Sequence, residues 1–225
     1  MALDLSEPLV VAAVSEDAPH KARGAREAGA DVVEVRIDMY EGGTEAALSD
    51  LRDCDALPVI ATNRPTDEES EEERVETLVA ATEHAEAVDI DVSSPEESIE
   101  SVVDAARDDD VTVIASHHDF EGTPSIDGML ETLEQAWEVG GVAKLAVTPE
   151  DEGDVLDLLR LTLEARDGGG PFCAISMGAL GSYTRFVAPL YGSCLTYASH
   201  GSGTAPGQLT VREVREYIER FGFEE

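Results

Sequence analysis

Val33-Glu34-Val35-Arg36-Ile37-Asp38 alternates β-branched and charged residues, one kind on each face of a strand. Val88-Asp89-Ile90-Asp91-Val92 repeats the pattern. Taken alone, either segment also fits a half-exposed antiparallel sheet. The surrounding sequence favours another reading. Short apolar runs recur at 9–15, 31–38, 57–63, 87–93, 111–117, 141–147, 171–177 and 193–199, with amphipathic stretches between them and a last one at 210–220. Strand–helix alternation predicts a parallel sheet with crossover helices. Eight such units in 225 residues predict the α/β class, a (β/α)8 TIM barrel forming a single domain over 1–225. An open doubly wound sheet is the alternative. In a barrel one strand face meets the helices and the other points inward. Charges turned inward are costly unless paired, so the two segments predict a polar site inside the ring.

Helix starts are marked by Ser94-Pro95-Glu96-Glu97 and Thr148-Pro149-Glu150-Asp151, each placing a capping hydroxyl before proline and acids. Thr210 with Glu213 predicts a capping box. Gly168-Gly169-Gly170 predicts a loop.

Composition narrows the function. Asp plus Glu number 49 against 15 Lys plus Arg, a formal net charge of -34, yet 42% of residues are hydrophobic and fall in regular blocks. That argues for a folded chain. The acids are spread along its whole length, a pattern suited to high salt, where repulsion is screened within a few ångströms. We expect a halophilic protein of a salt-accumulating cytoplasm. Nucleic-acid binding is not expected, because it needs clustered Lys and Arg. No run approaches the roughly 18 apolar residues of a membrane span, and no signal peptide is expected. Cys54, Cys173 and Cys194 show no zinc or redox spacing and read as small core residues.

The chain has two lysines, Lys21 and Lys144. Lys144 lies inside the apolar run 140–147, where desolvation disfavours its charged form. A lysine pushed toward the neutral amine attacks carbonyls and forms Schiff bases. The bland reading is a strand-end lysine reaching water. Barrel chemistry sits at the C-terminal ends of strands. Those positions here carry Glu34 and Arg36, Arg64 with Glu68 four residues on, Ser116-His117-His118-Asp119-Phe120, Lys144, Ser176-Met177-Gly178 with Arg185, and 201–208 with Thr204 and Gln208. Each has a structural reading: a Glu34/Arg36 pair, a polar histidine cap, surface salt bridges at Arg64 and Arg185, a plain connecting loop. The two histidines lack a third ligand at metal spacing, so no metal is expected. Together the residues support a mechanism. Lys144 condenses with a ketone, and His118 removes the proton beside the iminium and returns one to a departing hydroxyl. Glu68 orients that imidazole. Arg185 grips a substrate carboxylate, while Gln208 and Thr204 bond hydroxyls. Arginines near Lys144 would lower its proton affinity.

The motifs at 34–38, Arg64 with Glu68, 116–120, 143–146, 176–186 and 205–208 resemble those of the type I 3-dehydroquinate dehydratases, in family order. The resemblance implies a (β/α)8 barrel that dehydrates 3-dehydroquinate to 3-dehydroshikimate in the shikimate pathway. It implies a Schiff base on Lys144, an acid/base at His118, a supporting carboxylate at Glu68, and substrate contacts from Glu34, Arg36, Arg64, Arg185 and Gln208. It implies no metal, no external cofactor and a homodimer. The chain departs from the family in two places. Thr204 replaces a serine, and Asp91 stands where glutamate is commoner; Asp91 is assigned no catalytic role. The rivals are another Schiff-base barrel, such as a class I aldolase, and a barrel that only binds a small acid.

Overall fold

The computed structural model describes residues 2–67, 69–201 and 207–221. Eight strands, β1 (Leu9–Val14), β2 (Val32–Arg36), β3 (Val59–Thr62), β4 (Ala87–Asp91), β5 (Thr112–Asp119), β6 (Val142–Val147), β7 (Phe172–Ser176) and β8 (Leu195–Ser199), form one sheet. They alternate with α1 (Ala18–Ala28), α2 (Gly43–Asp53), α3 (Glu71–Thr82), α4 (Glu96–Asp108), α5 (Ile126–Val139), α6 (Glu152–Ala165), the short α7 (Gly178–Gly181) with α8 (Thr184–Tyr191), and α9 (Val211–Phe221). The strand order is β7-β6-β5-β4-β3-β2-β1-β8, with parallel pairing at each step. At the two ends of that order, the Cys194 N–H donates to the Phe172 carbonyl at 2.7 Å and the Ala174 N–H to Ser193 Oγ at 3.2 Å. These bonds draw β7 and β8 together into a (β/α)8 barrel.

Strand parity then sorts the side chains. Val33, Val35, Val88 and Ile90 face outward and pack with Ala22, Leu51, Leu78 and Val102 of the helices. The inward face begins with one small or apolar residue from each strand: Val11, Val32, Ile60, Ala87, Ile114, Val142, Cys173 and Leu195, with Leu3, Leu5 and Leu9 packed against them. These fill the floor of the barrel. Two residues further along, the same faces carry Ala13, Glu34, Thr62, Asp89, Ser116, Lys144, Ile175 and Tyr197. Two further still come Arg36, Arg64, Asp91 and His118. The polar inward face expected from the alternation at 33–38 and 88–92 is thus present, layered above a dry plug.

Two of the expected helix starts differ. α4 begins after Pro95 with no side-chain cap, because Ser94 Oγ instead accepts from Arg74 Nη2 at 3.0 Å. α6 is capped by Asp151, whose carboxylate accepts from the Gly153 and Asp154 amides, while Thr148 Oγ1 donates to the Asp119 carbonyl. Tertiary partners claimed both hydroxyls. The Thr210/Glu213 box forms as expected, and α3 carries a further capping box from Ser70 and Glu73.

Candidate active site

Lys144 is 4% exposed, in the middle of β6. Its Nζ lies 2.9 Å from Asp89 Oδ2, 4.0 Å from Glu34 Oε1 and 4.0 Å from the centre of the Tyr197 ring. The amine does not reach toward water. Of the arginines expected near it, Arg64 is close by, bonded to the same Asp89, while the closest charged neighbours of the amine are carboxylates.

Asp89 is the hub of the second layer. Its Oδ1 accepts from Ser116 Oγ at 2.6 Å and pairs with Arg64 Nη2 at 2.9 Å, and Arg64 Nη1 donates to Ser116 Oγ at 2.7 Å. Burial alone would raise this carboxyl; Arg64 and Lys144 outweigh that and hold it well below the usual carboxylate range. Glu34, 4% exposed, accepts from Thr62 Oγ1 at 2.8 Å. A buried charge is tolerated when it is paired and hydrogen-bonded, and these are.

β5 runs two residues past the expected end at His117, because His118 and Asp119 stay in register with Ala146 and Val147 of β6. His118 is therefore a strand residue. Parity puts it on the inward face with Ile114 and Ser116, and puts His117 on the other. The His118 ring stacks on Phe120 at 5.9 Å, and its Nδ1 lies 3.4 Å from Asp91 Oδ2. Burial, then the charge of Arg64, lowers the His118 pKa to about 4, with Asp91 pulling the other way.

Arg185 is only 3% exposed. Its Nη1 donates to the Tyr197 carbonyl at 2.9 Å, its buried Nε has no partner, and it has no acidic partner among the described residues. Burial lowers its pKa to about 10. Such a cation is one anion short. Arg64 lies in the polar layer, paired with Asp89 and Asp91, so neither arginine is a loose surface ion pair. Arg36 is held in a fork by Asp38 at 3.0 and 2.6 Å, because a short 3₁₀ turn at Ile37–Met39 swings Asp38 back toward it. The Glu34/Arg36 pair expected as the bland reading does not form.

A cavity of about 540 Å³ opens over these groups, lined among others by Glu34, Arg36, Arg64, His118, Lys144, Arg185 and Gln208. Glu68 and Thr204, also expected in the site, lie outside the described residues. A second, more open groove of about 630 Å³ near α2 and α3 is lined by Asp38, Glu69, Glu73 and Glu76 and by no Lys, Arg or His. An acidic metabolite is repelled there, whereas the barrel cavity offers it Arg36, Arg64, Lys144 and Arg185. Three residues absent from the expected site belong to it: Asp89, Asp91 and Tyr197. A fourth, Arg74 of α3, is fully buried and fixes the segment carrying Arg64 by donating to the Asn63 carbonyl at 3.1 Å.

The arrangement joins a buried amine, an imidazole with a low proton affinity and a guanidinium with no acidic partner among the described residues around one hollow. That set suits covalent capture of a ketone, proton removal beside it, and retention of a carboxylate. Comparison with known proteins points the same way. The sequence model of the type I 3-dehydroquinase family matches residues 8–222. The 3-dehydroquinate dehydratase of Methanococcoides burtonii is 42% identical over 227 residues, covering 96% of each chain. That of Halobacterium salinarum is 42% identical over 202 residues, 84% of this chain and 87% of its own. Among solved structures, the 3-dehydroquinate dehydratase of Geobacillus kaustophilus superposes with a TM-score of 0.86 at 28% identity, covering 97% of this chain and 93% of its own.

Proposed function

The chain belongs to the type I 3-dehydroquinase family, and from that premise we propose how its barrel dehydrates 3-dehydroquinate to 3-dehydroshikimate. Lys144 attacks the substrate ketone, and loss of water from the carbinolamine gives an iminium. The iminium nitrogen stays beside Asp89 Oδ2, which sits 2.9 Å from Nζ, so the positive charge forms where a carboxylate already waits. His118 takes the proton from the carbon next to the iminium. It then returns a proton to the departing hydroxyl, and water releases the product from Lys144. Arg185, buried with no acidic partner among the described residues, binds the substrate carboxylate. Glu34, Arg36, Arg64, Thr204 and Gln208 contact the rest of the substrate, and Glu68 supports His118. The electron sink is Lys144 itself, so the reaction calls for no external cofactor and no metal. We place the enzyme in the shikimate route of aromatic amino-acid biosynthesis, in a saline cytoplasm, as a homodimer. Its excess of acids and its similarity to a Halobacterium protein favour the saline setting.

The carrying observation is the buried amine of Lys144 sharing one cavity with His118 and Arg185. Borohydride reduction during turnover of 3-dehydroquinate, followed by mass spectrometry, tests it. The adduct is expected on the peptide containing Lys144, and is expected to vanish in Lys144→Met, a variant of similar volume whose fold is checked by circular dichroism. An adduct on Lys21, or none, removes the assignment.

A further inference from the structure

Resting on the assignment of His118 as the proton-transfer group, we propose that Asp91 is a positioning residue for it, holding the imidazole by Nδ1 so that Nε2 faces the substrate. Asp91 closes β4 on the inward face, in register with Ser116, two residues before His118 on the neighbouring strand. Its Oδ1 is already spent on its own turn, accepting from the Ser93 amide at 2.9 Å and from Ser93 Oγ at 2.6 Å. That leaves Oδ2, which lies 3.4 Å from both His118 Nδ1 and Arg64 Nη1.

His118 Nδ1 is buried and makes no formed hydrogen bond. A gap of 3.4 Å is longer than a good N–H···O bond, and a closure of about 0.5 Å completes it, as catalytic contacts do when substrate binds. A carboxylate at Nδ1 selects the tautomer protonated there and leaves the Nε2 lone pair free to act as base. It also opposes the surroundings. The charged groups facing the ring are Arg64, Lys144, Asp89 and Asp91, and the two cations work against a proton on the imidazole while the two acids work for it. Asp89 is engaged by Lys144, Arg64 and Ser116. Asp91 is the acid in direct reach.

The test separates loading of Lys144 from conversion of the loaded enzyme in a single turnover with 3-dehydroquinate. Borohydride trapping measures the first and product absorbance the second. In Asp91→Asn, trapping at Lys144 is expected to keep its wild-type rate while conversion slows by about 10–100-fold, part of what acid/base catalysis supplies. Asp91→Glu is expected to restore most of the conversion. The proposal is overturned if Asp91→Asn converts normally, if trapping and conversion fall together, as a packing defect would make them, or if Asp91→Glu is as slow as Asp91→Asn. Normal conversion by His118→Ala, or trapping away from Lys144, breaks the underlying assignment instead.

Discussion

His118 is pulled in opposite directions: burial and Arg64 push its pKa down to about 4, and Asp91 pulls it up. Below its pKa the ring carries a proton and cannot accept another. The acid limb of kcat/KM is therefore expected to fall as pH drops toward 4, well under the ordinary histidine value of about 6.5. A pH–rate profile checks this; a limb near 6.5 would mean the ring is far better solvated than its burial implies. Replacing His118 with Ala is expected to lower turnover by about 10²–10⁴-fold. The same replacement at His117, on the opposite strand face, is expected to leave turnover near wild type. Arg185 is a second residue whose environment dictates its behaviour. Its guanidinium is buried without an acidic partner among the described residues. Arg185→Lys keeps the charge but loses the planar fork, and is expected to raise KM for 3-dehydroquinate by about tenfold.

The start of α7 and the connection from β8 to α9 meet at a pair of glycines with left-handed backbone, Gly178 (φ 72°) and Gly207 (φ 70°). A Cβ on Gly207 would lie 2.0 Å from the Gly178 carbonyl oxygen. No side chain fits, and Gln208 of the cavity follows directly. Gly207→Ala is expected to strain this contact by about 1–3 kcal/mol and to raise KM by about tenfold with the barrel still folded. Steady-state kinetics beside circular dichroism decide it, and a wild-type KM would show that the loop yields. At this scale much was readable in advance. The alternation at 33–38 and 88–92 told which face turned inward, and the eight-unit count told that the faces closed on one lumen. Lys144, His118, Arg64 and Arg185 follow from strand ends. Asp89 and Asp91 escaped because parity within one strand does not give the offset between neighbouring strands. Only the folded barrel shows that Asp89 reaches the Lys144 amine, and that Asp91 lies beside the His118 ring. The partner of Arg36 is hidden in the sequence because the turn after β2, not the strand, sets it. Ser94 and Thr148 misled as caps because their hydroxyls serve contacts distant in sequence.

A formal charge of -34 acts on the whole molecule at once. The screening length shrinks from about 10 Å at 0.1 M salt to about 3 Å at 1 M. Each kcal/mol of repulsion removed adds about 2–4 °C to the melting midpoint of a chain this size. A rise of about 10 °C between 0.1 M and 2 M KCl is expected by differential scanning fluorimetry. Full stability in dilute buffer would show that the acids are spaced too widely to matter. Cohesion inside the ring is not uniform either. Seven of its eight junctions are continuous parallel ladders, whereas β7 meets β8 through the Cys194–Phe172 backbone bond, the Ser193 hydroxyl and the Cys173 thiol, which donates to the Leu195 carbonyl. A hoop parts first at its thinnest rivet. Amide protons along this one line should trade with deuterium sooner than those of the other junctions, and a crack starting there would unseat Tyr197 and Arg185 while β2 to β6 still held their shape.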